Sequence, residues 1–132
     1  MEAKGDTPGK FFTPMAGKIS VFKLVHISGK VGCTDRETSN WGCDEDSSSL
    51  LTLVTDDNNS VVFPENYHGQ DRYKLPGFTS SSPELLFTFS IPLEVTAGQE
   101  YRVWYSEDLF SSQEDDNYPG ATCMRVIVTY SI

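Results

Sequence analysis

The sequence has few basic residues and no long apolar segment, and these two absences exclude several classes of protein. Its 132 residues contain 10 Lys and Arg against 19 Asp and Glu, which gives a formal net charge of −9. Binding to a nucleic acid or to an anionic membrane surface requires clustered cations, so neither partner is expected. No segment approaches the ~20 apolar residues of a membrane-spanning helix, so membrane insertion is not expected either.

The chain also lacks the patterns of common enzyme and zinc sites. Its three cysteines include no Cys-x-x-Cys pair and none has an adjacent histidine, which argues against structural zinc. Neither His26 nor His68 has a candidate nucleophile beside it in the sequence, and His26 is expected to be a satisfied core histidine. Paired carboxylates could hydrolyse glycosides, but acids clustered in one loop would not be driven to different pKa values by burial. We therefore expect no enzymatic activity.

The cysteines and one short motif give limited information about structure and location. Cys33 and Cys43 flank a short polar segment at a spacing that a disulfide can close. Cys123 lies in an apolar strand-like run, where a small buried thiol is expected. The triplet Asn58-Asn59-Ser60 matches the N-glycosylation pattern but is too short to establish a cellular location by itself.

Short apolar segments separated by Gly, Pro, Asn and Asp predict seven or eight strands and no helix. The strand signals cover residues 18–27, 50–55, 61–63, 85–90, 93–95, 100–105 and 122–130. Residues 56–60 predict a hairpin turn, and residues 64–83 predict a long surface loop. This pattern favours an all-β fold, an antiparallel β-sandwich of jelly-roll type, over a closed barrel.

The length of the chain suits a single domain with one core. We expect this domain to cover residues 17–132 and to follow a flexible polar leader at residues 1–16. The leader lacks the apolar centre of a secretion signal, and the sequence does not show whether it is native.

An acidic connection, from Tyr105 to Gly120, joins the last two strand signals. It holds five carboxylates and an Asn amide. A hard cation with six to eight oxygen ligands, Ca²⁺ above all, would relieve their repulsion. If the connection folds back, Asp108, Asp116 and Asn117 could surround one ion together with backbone carbonyls. An acidic loop that is only solvated is the alternative.

The run from Asp108 to Gly120, with Asp116-Asn117 near its end and a strand on each side, resembles a pattern of galactose-binding-like β-sandwich domains. Among these it is similar to the bacterial-type calcium-dependent galactose lectins, in which this loop carries an ion that holds sugar hydroxyls. The resemblance implies side-chain ligands at Asp108, Asp116 and Asn117, and a backbone carbonyl ligand at Ser112. One inserted residue leaves open whether Asp115 or Asp116 is the ligand.

A larger part of the chain, about residues 17–132, resembles small secreted and skeletal-matrix proteins of corals and other cnidarians. The matching segments are residues 20–26, 41–43, 75–77, 82–85, 97–99 and 105–109. This resemblance implies an extracellular protein and a bridge between Cys33 and Cys43. It implies less about biochemical activity.

Four further residues are candidates for contact with a sugar. His68 and Gln70 offer a donor and an acceptor in a loop, and the lectin type also uses a loop His and Gln, at a spacing one residue longer. Trp41 and Tyr118 could cover the C–H face of a sugar ring. An exposed pair without a role is the alternative for His68 and Gln70, and packing over the end of the sandwich is the alternative for Trp41.

These observations together predict a secreted, calcium-dependent carbohydrate-binding module whose partners are glycans or glycoproteins. Because a single lectin site usually binds weakly, self-association into a homo-oligomer would provide avidity. The alternative is a non-enzymatic structural or interaction protein of an extracellular matrix, whose acidic face binds ions or protein partners.

Overall fold

The computed structural model describes residues 1, 8–34, 36–43, 48–67, 69, 72–106 and 119–131. The strands of this part of the chain are β1 (Gly9–Phe12), β2 (Gly17–Gly29), β3 (Val31–Thr34), β4 (Glu37–Ser39), β5 (Ser49–Leu50), β6 (Thr52–Asp56), β7 (Val61–Phe63), β8 (Tyr73–Lys74), β9 (Glu84–Val95), β10 (Glu100–Tyr105) and β11 (Thr122–Tyr130). Over these same residues, no helix is long and apolar enough to cross a membrane.

One sheet has four antiparallel strands in the order β1-β10-β6-β7. The predicted hairpin at residues 56–60 joins β6 to β7 within it. Along β10, Tyr101, Val103 and Tyr105 are buried, as the alternation of apolar residues predicts. Trp104 points to the other face but is also buried, and its Nε1 donates to Thr55 Oγ1 at 3.1 Å.

The second main sheet has three antiparallel strands in the order β11-β2-β9. The two strand signals on either side of Pro92 form one strand, β9, because a register shift accommodates the proline, which cannot donate to a strand ladder. The shift lies between the pairs Val21↔Thr88 and Ile19↔Leu93. Ile91 projects from it with 82% of its surface exposed.

Aromatic side chains from the two sheets meet in the core. Phe63 of β7 stacks on Phe87 of β9 with ring centroids 4.1 Å apart. Phe22 of β2 contacts Phe11 of β1 at 5.3 Å and Tyr101 of β10 at 5.7 Å. The predicted all-β antiparallel sandwich is therefore confirmed. The remaining strands form two two-stranded sheets, β3-β4 and β5-β8.

The prediction of a flexible leader over residues 1–16 is wrong for β1. This strand pairs with β10 through all four of its residues, from Gly9↔Val103 to Phe12↔Glu100. Phe11 also stacks on Tyr101, with ring centroids 5.7 Å apart. A strand of four residues is too short to give a recognisable alternation, so its apolar residues were not informative without its partner.

The prediction that Cys123 is a buried thiol is also wrong. Cys123 is exposed and belongs to β11, an edge strand of the three-stranded sheet. Successive side chains of a strand point to opposite faces. Along β11 the exposed positions are Cys123, Arg125, Ile127 and Thr129, whereas Met124 and the alternate residues after it are half-buried.

Candidate functional site

Two segments singled out in the sequence leave the four-stranded sheet at the same end. The acidic connection begins after Tyr105 of β10, which pairs with Thr52 of β6. Residues 64–72 follow Phe63 of β7, which pairs with Val54 of β6. Because β6 lies between these two strands, their ends are separated by about two strand spacings, roughly 10 Å.

Hydrogen bonds to one neighbouring segment, residues 40–51, hold the two ends of the acidic connection. At its start, Ser106 is fully buried and its N–H donates to the Leu51 carbonyl at 2.7 Å. Just after its end, Thr122 Oγ1 donates to the Asn40 carbonyl at 2.8 Å. The Leu51 N–H in turn donates to the Trp41 carbonyl at 3.0 Å. Protein hydrogen bonds thus hold the residues that flank the connection on both sides.

Trp41 lies at the centre of this network and has no exposed surface. Its indole Nε1 donates to the Ser82 carbonyl at 2.7 Å, and its N–H donates to the Ser80 carbonyl at 3.0 Å. Its carbonyl also accepts from Thr52 Oγ1 at 2.9 Å. The expectation that Trp41 presents a ring face to a sugar is therefore contradicted, and the packing alternative describes this residue.

His26 packs edge-on against Trp41, with ring centroids 6.1 Å apart. Its Nε2 lies 2.7 Å from the Gly29 carbonyl oxygen. That short contact makes Nε2 the protonated nitrogen, because a carbonyl oxygen can only accept. His26 is thus hydrogen-bonded, as predicted, but it is half-buried and does not belong to the core, so that part of the prediction is wrong.

Cys33 and Cys43 form a disulfide, with their Cα atoms 5.3 Å apart. The hydroxyl of Tyr105 lies 3.4 Å from the Cys33 sulfur and 3.3 Å from the Cys43 sulfur. Tyr105 is the last residue of β10 and is fully buried. The disulfide therefore packs against the strand end from which the acidic connection starts.

A cleft of about 490 Å³ borders the beginning of the 64–72 segment, between β7, β8 and β9. The Glu65 carboxylate accepts from the N–H of Ser90 at 2.6 Å and from its hydroxyl at 2.5 Å, which ties this segment to β9. The Tyr73 hydroxyl donates to the Thr52 carbonyl at 2.5 Å. Burial raises the pKa of Tyr73 well above its usual value, because the phenolate would lose its hydration.

The structure of AJLec, a lectin from the sea anemone Anthopleura japonica, is similar to this one. The TM-score is 0.82 and the sequences are 31% identical, over 98% of this chain and 90% of that chain. The chain belongs to the family of this sea anemone lectin. No protein-family model and no curated protein matches it. This match confirms the coarser expectation of a cnidarian, lectin-like β-fold.

Most of the residues predicted to bind ligands in this lectin-like chain lie outside the described residues. They are Asp108, Ser112, Asp116, Asn117 and Tyr118 of the acidic connection, and His68 and Gln70 of the 64–72 segment. Among the residues that are described, no group of three or more His, Cys, Asp or Glu side chains could hold a metal ion.

Sequence reasoning missed the residues that position these segments in the lectin fold. Ser106, Leu51 and Asn40 act mainly through backbone groups, which any residue provides, so their identities carried no signal. Tyr105 did give a sequence signal, because it ends an alternating strand next to the acidic connection. A buried tyrosine hydroxyl usually has a hydrogen-bonding partner. Its contact with the disulfide could have been anticipated only from the fold.

Proposed function

We propose that this chain is a secreted, calcium-dependent carbohydrate-binding module. Its site would form at the end of the sandwich where residues 64–72 and the acidic connection emerge. The observation that carries the proposal is that the strands preceding these two segments, β7 and β10, end at the same end of one sheet, in a fold shared with a lectin.

The acidic connection is chemically suited to hold Ca²⁺. It contains five carboxylates within a chain of net charge −9, and oxygen atoms are the ligands that Ca²⁺ prefers. Asp108, Asp116 and Asn117 would be the side-chain ligands, and Ser112 would add its backbone carbonyl. When bound, the ion would supply coordination positions for sugar hydroxyls.

The hydrogen bonds at the base of the connection support this assignment. Ser106 and Thr122 are held by neighbours of Trp41, so the folded sandwich itself fixes both flanks of the proposed ion site. Pre-organisation of this kind reduces the entropy lost on binding. Trp41 contributes by holding this base, and it is not part of the proposed sugar contact.

His68, Gln70 and Tyr118 are the proposed residues beside the ion. A sugar ring has hydroxyls on its edge and C–H groups on its faces, so it is recognised by polar donors and acceptors together with an aromatic ring. His68 and Gln70 would orient the sugar, and Tyr118 would cover a C–H face. A single shallow site of this kind binds weakly, and self-association would raise avidity.

Isothermal titration of Ca²⁺ into the purified chain tests the ion site. We expect stoichiometric uptake that Asp108→Asn and Asp116→Asn abolish. Asp57→Asn is a matched control, because it removes one exposed carboxylate from the β6–β7 turn at the other end of the sheet. Uptake that is unchanged in both loop variants would reject the ligand assignment.

A glycan array, read with millimolar Ca²⁺ and again with EDTA, tests the carbohydrate function. Binding that EDTA abolishes and that His68→Ala weakens without changing Ca²⁺ uptake is the expected result. Ca²⁺ uptake with no glycan signal would overturn the lectin function and favour a matrix protein that binds ions through its acidic face.

A further inference from the structure

The chain contains a single Asn-X-Ser/Thr triplet, Asn58-Asn59-Ser60, which the proposed function does not use. In the structure this triplet forms the turn between β6 and β7, and all three residues are exposed. An acceptor asparagine must be accessible on the protein surface, and a hairpin tip meets that condition.

The turn is stabilised without using the side chain of Asn58. The Asp56 carboxylate accepts from the N–H groups of Asn58 at 2.9 Å and Ser60 at 3.0 Å. Asn59 adopts a left-handed backbone conformation, with φ of 61°, and its Oδ1 accepts from Arg102 Nη1 at 2.9 Å. Within the part of the chain that is described, the side-chain amide group of Asn58 makes no hydrogen bond. Modifying that group would therefore break no contact of the turn.

We propose that Asn58 carries an N-linked oligosaccharide. The donor would be a lipid-diphosphate-linked oligosaccharide of the secretory pathway. Asn58 Nδ2 would form a bond to the anomeric carbon of the first sugar, the bond from that carbon to the diphosphate oxygen would break, and the amide proton would leave to a base. The disulfide and the lectin relative, which suggest an extracellular protein, support exposure of the chain to that pathway.

The position of this oligosaccharide follows from the strand register. Asp56, next to the turn, pairs with Tyr101 at the start of β10, whereas the acidic connection leaves after Tyr105. Four residues of strand span about 13 Å, so Asn58 and the proposed sugar-binding site lie at opposite ends of the sheet. The oligosaccharide would instead stand beside β7, an edge strand of three residues, and hinder pairing with another chain.

Secretion of the full chain from eukaryotic cells behind a heterologous signal peptide tests the proposal. Treatment with peptide-N-glycosidase should increase gel mobility and leave a deamidated residue at position 58 in the mass spectrum. Ser60→Thr, which preserves the triplet, should behave in the same way. Asn58→Gln and Ser60→Ala should be secreted without the oligosaccharide. Unmodified wild-type and Ser60→Thr proteins would overturn the proposal.

The proposed location of the oligosaccharide can be tested separately from its presence. Removing the oligosaccharide should leave the Ca²⁺ uptake and any glycan binding of the secreted protein unchanged, and a change in either would contradict a location at the far end of the sheet. Ca²⁺ uptake is measured separately on the unglycosylated protein, so failure of the modification proposal is distinguishable from failure of the proposed function.

Discussion

Replacing Trp41 with phenylalanine distinguishes a supporting role of this residue from direct contact with a sugar. Trp41→Phe keeps an aromatic ring in the core but removes the Nε1–H that donates to the Ser82 carbonyl. The same carbonyl also accepts from Asn40 Nδ2 at 3.2 Å, so it would keep one donor. We chose phenylalanine because alanine would create a large cavity, at a loss of about 3–5 kcal/mol.

The expected loss of unfolding free energy for Trp41→Phe is about 2–3 kcal/mol. The missing hydrogen bond accounts for about 1 kcal/mol, since a second donor limits the penalty. The rest, about 1–2 kcal/mol, comes from the smaller ring, because Trp41 has no exposed surface and the space left behind closes only in part. A loss of this size is a substantial fraction of the 5–15 kcal/mol typical of a folded domain.

Urea denaturation measures this loss, with Trp104 as the remaining fluorescent probe. The chain has two tryptophans, and Trp104 is buried, so its emission should shift when the domain unfolds. With a urea slope of about 1–3 kcal/mol/M, the midpoint should fall by roughly 0.7 to 3 M. Any glycan binding should be unchanged in the folded protein, because phenylalanine keeps the backbone N–H and carbonyl through which residue 41 holds the base of the connection. A wild-type midpoint together with lost glycan binding would refute the reasoning and place the indole in the sugar site. Trp104→Phe, another buried tryptophan variant, controls for destabilisation alone.

Two further predictions follow from the contacts below the acidic connection. Replacing both Cys33 and Cys43 with serine should lower the unfolding free energy by about 2.5–3 kcal/mol, because the bridge closes a loop with a sequence separation of 10. Thermal unfolding of the variant and the wild type measures this loss. A change below about 1 kcal/mol would contradict the loop-entropy account. Burial raises the pKa of Tyr73, so the stability it contributes is complete below the unfolded-state value of about 10 and is lost as the pH rises towards the folded-state value. The urea midpoint should therefore fall more between about pH 8 and pH 10.5 for the wild type than for Tyr73→Phe. Equal falls in the two proteins would exclude Tyr73 as the source of the pH dependence.

The long strands could be predicted from sequence because their signal is local. The apolar alternation of residues 100–105 and 122–130 matches β10 and β11 at both ends. The two-residue strands β5 and β8 could not be predicted, because they exist only through the pairs Ser49↔Lys74 and Leu50↔Tyr73, which join distant parts of the chain. A pairing of that kind leaves no periodic pattern in either segment.

The burial of single residues was harder to predict than the strands that contain them. For Trp41 both interpretations fitted the sequence, and the choice between them depends on Ser80 and Ser82, some forty residues away, whose carbonyls accept from its two N–H groups. For Cys123 a usable signal was present. Arg125 stands two residues further along the same strand, and residues two apart share a face, so an exposed arginine indicates an exposed cysteine.

The closed base of the acidic connection also bears on the affinity that the proposed site could reach. Bringing the ends of a long loop together requires conformational entropy to be lost, and that loss grows with the length of the loop. Here the contacts of Ser106 and Thr122 with residues 40–51 fix the ends when the sandwich folds. The entropy of closure is then part of the folding free energy and does not weaken ligand binding. At the proposed site an ion would bind between these fixed flanks, and relief of the repulsion expected among the five carboxylates of the connection would add to its affinity. The affinity of the proposed site should therefore depend also on residues that touch neither ion nor sugar. If the base were loosened, ligand binding would have to order the ends of the connection, and this loss of entropy would lower the affinity.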